Sequence, residues 1–172
     1  MRKLLFGSVV AGSNNTLTRA QPTVNTKLPQ NGIFATLSAD VLKVLATHGE
    51  YNRASQGCRL IQQGQAQHEF FFVLSGELQV FYCTTDKNHF LATIRAGESV
   101  GEANLFVPRN ATASVFASQD CFLWKMNKSQ LLNFINNYQE AGMEIVCQVV
   151  NMLSIRIEKL NEKTSNLLNT IQ

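Results

Sequence analysis

Gly101 and Glu102 stand near the start of the stretch Gly97–Ala117, GESVGEANLFVPRNATASVFA, and are the residues of this chain best placed to hold a ligand. A glycine followed by a carboxylate at the start of a single helical turn suits an anionic ligand that carries hydroxyl groups. Backbone N–H groups of such a turn can face a phosphate, and the carboxylate can accept from a sugar hydroxyl. Ala103 continues the turn. Arg109, Thr112 and Ser114 follow in the same stretch.

Other chemistry finds little support. His48, His68 and His89 are scattered, and none shares helical or hairpin metal spacing with a cysteine or carboxylate. Ser75 lies in Leu-Ser-Gly-Glu, a hairpin turn rather than a nucleophile elbow. His68-Glu69 reads as a surface loop and His89 as an edge-strand residue. Phe70-Phe71-Phe72, Phe81, Phe90 and Trp124 read as core strand residues rather than an aromatic ligand box. We therefore expect no catalytic residue, no metal site, no required cofactor and no enzyme activity. Cys58, Cys83, Cys121 and Cys147 show no paired spacing, which fits reduced thiols of a cytoplasmic protein and leaves a partial disulfide framework open.

The chain has 172 residues, is 45% hydrophobic and 16% charged, and can build one ordinary core with extensions. Its net charge of +3 is uneven. Residues 1–39 hold Arg2, Lys3, Arg19 and Lys27 and no acid, so this segment carries +4 and leaves −1 for the rest. A nearly neutral body gives no support to a nucleic-acid groove. No apolar run is long enough for a membrane span.

The elements around the cradle follow from periodicity. Residues 1–31 form an N-terminal extension, either flexible or a targeting peptide, with a basic start and the short apolar run Leu4–Ala11. A helix is expected over Ser38–Thr47, capped by Ser38, with Leu37, Val41, Val44 and Leu45 on one face and Gly49 ending it. From Gly57 to Met126 the pattern alternates. Strands are expected at Arg59–Gln62, Phe70–Leu74, Glu77–Tyr82, Phe90–Ile94, Ala113–Ala117 and Phe122–Met126. Short strands with glycine turns point to an antiparallel sandwich or barrel.

The remainder is helical. Ser129 is the expected cap of a helix carrying Leu131, Leu132, Phe134 and Ile135, and Asn136-Asn137 and Gly142 mark an expected break. A long helix then runs over roughly Met143–Leu168. Val146, Val150, Leu153, Ile157, Leu160, Thr164, Leu167 and Ile171 recur in it at alternating spacings of 4 and 3, a heptad seam broken by Thr164. This predicts a homodimeric coiled coil, with a self-packed helix as the alternative. Arg156, Glu158, Lys159, Glu162 and Lys163 flank the seam.

Several of these pieces, in order, resemble a cyclic-nucleotide-binding domain. This is the β-roll module of the catabolite activator family of bacterial regulators, of kinase regulatory subunits and of cyclic-nucleotide-gated channels. Cys58-Arg59-Leu60-Ile61 with Gly64 resembles its early strand and turn, and Phe71–Val80 its central hairpin. Gly97-Glu98 and Gly101-Glu102 resemble the start of its phosphate-binding cassette, and Ala113-Ser114-Val115, Ala117 and Cys121 the strand that leaves it. The resemblance covers residues 38 to 160. It implies a mainly β plus α fold: an antiparallel β-roll or jelly-roll-like domain over residues 32–141, an N-terminal helix and C-terminal helices, with residues 142–172 as the dimerisation coiled coil. It also implies a regulatory, signalling module.

In that family the cassette glutamate takes the ribose hydroxyl and an arginine pairs with the cyclic phosphate. The resemblance carries the ligand contacts over to Gly101, Glu102 and Ala103. The arginine does not match: Ala111 stands in its place and Arg109 lies two residues too early. Arg109, Thr112 and Ser114 are left as the possible phosphate contacts, a planar guanidinium suiting that anion because it can donate two parallel bonds. Two functional expectations follow. One is a homodimer that senses a cyclic nucleotide or a related anionic ligand. The other is a protein-interaction or structural module whose nucleotide pocket has lapsed, with a protein partner yet to be named. The bacterial regulators continue into a helix-turn-helix domain where this chain stops at Gln172, so direct DNA binding is not expected.

Overall fold

The computed structural model describes residues 16–21, 26–106 and 109–171. The expected targeting run Leu4–Ala11 lies outside the described residues. The elements in order are β1 (Leu17–Arg19), a 3-10 turn at Gly32–Phe34, α1 (Ala39–His48), β2 (Glu50–Ala54), β3 (Arg59–Ile61), β4 (Ala66–Gln67) and β5 (Glu69–Ser75). Then come β6 (Glu77–Cys83), β7 (Asn88–Arg95), β8 (Ser99–Val100), α2 (Glu102–Phe106), β9 (Arg109–Asn110), β10 (Ser114–Ala117), β11 (Cys121–Asn127), α3 (Lys128–Asn137) and α4 (Gln139–Ile171).

The strands form three antiparallel sheets among the described residues. One has the order β1-β2-β11-β5-β8, the second β3-β10-β6-β7, and the third pairs β4 with β9. No ladder joins them, so the expected β-roll or jelly-roll is corrected to a mixed α/β domain of three open sheets flanked by helices. The pairing stops because β4, β8 and β9 are two residues long and because register shifts interrupt the longer ladders, as between Val80 and Phe81 or Phe122 and Leu123.

The five-stranded sheet is apolar on both faces. In β5 and β11 Val73 opposes Leu123 and Phe72 opposes Trp124. Phe71, Val73 and Leu123 face Leu78, Ile94, Val115 and Ala117 of the four-stranded sheet. Phe70, Phe72, Trp124 and Met126 face the helices, where they meet Phe34, Leu45, Leu131, Phe134, Ile145 and Val149. Such two-sided burial explains the near-continuous apolar run Phe70–Leu74, which carries no alternation. The helices thus pack on one side of this sheet and the second sheet on the other.

Local details correct several expectations. Ser38 does cap α1, its side chain accepting from the Val41 N–H. Leu37 and Leu45 of the expected face are buried, Val41 and Val44 pack against the core half-buried, and Leu42 joins them. Asn127, not Ser129, caps α3: it forms a capping box with Gln130. Gly142 is not a break but a contact point within α4, since a Cβ there would come within 2.7 Å of Ile135. Phe90 is exposed rather than core. Tyr82 is exposed, although the alternation of β6 sets it with the buried Leu78.

The Phe72 ring is fully buried and stacks 4.6 Å from that of Phe34. Phe72→Ala should lower unfolding free energy by roughly 3–5 kcal/mol, from lost burial and the cavity left behind. Urea denaturation followed by tryptophan fluorescence checks this.

Candidate functional site

The cradle is assembled by three elements. β8 ends at Val100, Gly101 turns, and α2 begins at Glu102. Gly101 has φ +88°, and a Cβ on it would sit 2.5 Å from the Glu69 carbonyl oxygen. Only glycine lets the turn lie this close to β5. The turn then drives Glu102 inward, where it is 2% exposed. A buried carboxylate of this kind needs a cation or several donors.

The cation is Arg156, from α4. Its Nη1 donates to Glu102 Oε1, and its Nη2 donates to the Ser99 carbonyl oxygen at 2.6 Å. Ser99 is itself buried, and its hydroxyl donates to Met152 Sδ at 3.5 Å. Glu102 Oε2 is enclosed and has no hydrogen-bond partner among the described residues. Burial pushes the Glu102 carboxyl above its usual 4.5, although Arg156 pulls the other way. One bonded oxygen does not offset the desolvation of two.

The other expected contacts lie elsewhere. Ala103 is exposed on α2. Arg109 is exposed on β9, where it pairs with Gln67. Thr112 is exposed. Ser114 is buried, but its hydroxyl accepts from the Gln63 N–H at 3.1 Å, a contact that holds β10 to the β3–β4 connection. Ala111 is buried among the apolar residues between the sheets, and its N–H and carbonyl are bonded to Gln65 and Gly64. Of the expected residues, Gly101 and Glu102 are therefore the pair at the cradle, joined there by Arg156 and Ser99.

Arg156 was legible in the sequence only as a flank of the heptad seam. Its better signal is a second stripe on the same helix. Ala141, Ile145 and Val149 are buried and Met152 half-buried at spacings of 4, 4 and 3, and Arg156 follows four residues later as the last step. A lone cation ending an apolar docking stripe points to a buried anion at its end.

His48 Nδ1 lies 3.0 Å from the Val44 carbonyl, and its ring meets Phe134 edge-on at 5.3 Å. His68 and His89 are exposed. No group of three His, Cys, Asp or Glu side chains that could hold a metal occurs among the described residues. All four cysteines are unpaired, with Cys58 and Cys121 buried. No described helix is long and apolar enough to cross a membrane.

With this geometry in hand, comparison with known proteins is decisive for the family. A model of the cyclic nucleotide-binding domain matches residues 52–138. The chain belongs to the cyclic nucleotide-binding domain family. It is 36% identical over 102 residues to the cGMP-dependent protein kinase egl-4 of Caenorhabditis briggsae, across 59% of this chain and 13% of the kinase. It is 27% identical over 152 residues to the cGMP-dependent protein kinase of Plasmodium berghei, across 88% of this chain and 17% of that one. The chain thus spans less than a fifth of these kinases' length.

Among solved structures, a cyclic nucleotide-binding domain from Methylobacillus flagellatus superposes with a TM-score of 0.70 at 19% identity, covering 74% of this chain and 72% of that one. The catabolite activator protein of Thermus thermophilus gives 0.70 at 20%, covering 80% and 63%. These two establish the likeness of fold. The cyclic nucleotide-binding domain is a non-catalytic regulatory module, and this chain is one.

The raised carboxyl of Glu102 has a consequence for stability. A group whose pKa is higher in the folded state binds protons more readily there. The folded state is then favoured at low pH and loses that advantage as pH rises from about 4.5 through the folded value. Glu102→Gln removes this titration. The melting temperature of the variant relative to the natural protein should therefore climb between pH 4.5 and pH 7. A flat difference from pH 4.5 to pH 7, with any relative fall confined to lower pH, would show that Arg156, not burial, dominates.

Proposed function

We propose that this domain is a homodimeric regulatory module that reports the occupancy of its cradle, by a cyclic nucleotide or a related anionic ligand, through the position of α4. The observation that carries this reading is that a single residue of α4, Arg156, bonds both the cradle carboxylate and the Ser99 carbonyl that precedes it. A change at Glu102 is thereby felt directly by the helix that would join two copies. Coupling of this kind is a difference in contacts between two states.

The second copy is argued from α4 itself. Residues 157–169 are all exposed, a projection of about 20 Å beyond the last docked turn. Ile157, Leu160 and Leu167 are 58, 61 and 66% exposed, and they lie on the heptad seam with Val146, Val150, Leu153 and Thr164. An isolated helical extension of this length is marginal in water, and pairing along the seam would bury its apolar stripe.

Similarity to kinases that are cGMP-dependent by name makes cyclic GMP the first ligand to try. Affinity should be modest. Ala111 offers no charge where the family places its arginine, and a hydrogen bond to a charged group is worth about 1.5–3 kcal/mol, or about 10- to 150-fold. Ala111 also favours the second reading, a protein-interaction module with a lapsed pocket. That reading holds if cyclic GMP and cyclic AMP both leave the melting temperature unchanged at millimolar concentration.

The dimer is tested separately. Sedimentation equilibrium should find the natural chain dimeric at micromolar concentration, and Ile157→Asp with Leu160→Asp monomeric with its β-sheet circular dichroism intact. A natural chain that stays monomeric would remove the output half of this proposal.

A further inference from the structure

We propose that Arg156 is a built-in competitor for the cradle, so that docking of the last turn of α4 and occupancy by a hydroxyl-bearing ligand exclude one another. The inference rests on the reading of Gly101-Glu102 as a ligand site and adds a direction to it. Glu102 offers two oxygens. Oε1 is taken by Arg156, and Oε2 is enclosed without a partner among the described residues. A ligand hydroxyl therefore reaches neither oxygen while Arg156 stays in place.

The same turn is also the end of α4's hold on the domain. Met152 meets the Ser99 hydroxyl, and Arg156 meets the Ser99 carbonyl and Glu102. Every residue from 157 to 169 is exposed. Removing Arg156 from Glu102 thus frees the helix at the point where the seam leaves the body.

Two features make the clasp reversible. The Arg156 side chain is 35% exposed, so its guanidinium can return to water at little cost, whereas Glu102 cannot. The unpaired Oε2 also leaves the closed state incompletely satisfied. The one free hydroxyl of a 3′,5′-cyclic nucleotide, the ribose 2′-hydroxyl, would donate to one of these oxygens in place of Arg156, with the phosphate left to solvent.

The opposite role is also conceivable in physical terms: Arg156 could serve as the ligand's own cation, standing in for the missing cassette arginine. The two roles differ in sign. As a competitor, Arg156 weakens binding; as a co-ligand, it strengthens it.

Isothermal titration of cyclic GMP into the natural chain and into Arg156→Met distinguishes them, methionine keeping the length of the stem without its charge. Arg156→Met should bind at least tenfold more tightly. Equal or weaker binding overturns the competitor role. Hydrogen exchange on the natural chain provides a check that needs no variant. By reciprocity, saturating cyclic GMP should speed exchange of the amides of residues 152–160; slower exchange there overturns the proposal. If neither protein binds cyclic GMP or cyclic AMP, the sensing function falls and this inference with it. If the natural chain binds and the variant gains nothing, the inference alone falls.

Discussion

A carboxylate sealed inside a protein has to be matched by a cation, and here the match for Glu102 comes from 54 residues further along the chain. That demand ties together parts that are otherwise independent. Gly101 must be glycine so that Glu102 turns inward against β5. β8 must end at Val100 so that the Ser99 carbonyl lies beside the same guanidinium. α4 must dock on the body for long enough to deliver Arg156, and it ceases to dock immediately afterwards. Removal of either charge leaves the other without its partner, and the buried one suffers more.

The five-stranded sheet makes this possible. Because β5 and β11 are apolar on both faces, the helices have a firm floor of Phe70, Phe72, Trp124 and Met126. The second sheet closes the opposite face through Val73 and Leu123 against Leu78 and Val115. α4 lies across the floor with Ala141, Ile145 and Val149 inward, and the heptad seam emerges on the neighbouring side of the same helix. One helix thus carries two stripes, one for its own body and one that a second copy would cover. Arg156 and Ile157, adjacent in sequence, belong one to each.

Most of this layout is legible in the sequence, because periodicity reports burial and burial is local. The capped helix α1, the seam and alternating strands such as β6 carry such a signal, whereas β5 shows only as a continuous apolar run. The two-residue strands β4, β8 and β9 carry none, since a pair of residues has no period. Nor did β1 and β2, whose pairing depends on β11 far along the chain. The β-roll expectation came from family resemblance, and the observed ladders end in three separate sheets instead. At the site, Gly101-Glu102 was readable as a motif and Ala111 as a departure from it. The partnership with Arg156 was not readable, because ion pairs between distant elements leave no local pattern. Arg109, nearer in sequence, proved to lie on an exposed strand.

The central claim is that α4 is fastened to the cradle through Arg156 and Glu102, and a double-mutant cycle tests it most directly. Unfolding free energies of the natural chain, Glu102→Gln, Arg156→Met and the double variant would be measured in urea at pH 7. The expected result is strong non-additivity, with a coupling energy of at least about 1 kcal/mol, as for residues in direct contact in one network. Additivity within about 0.3 kcal/mol would mean that the two side chains do not hold one another, and α4 would then owe its position to its apolar stripe of Ala141, Ile145, Val149 and Met152.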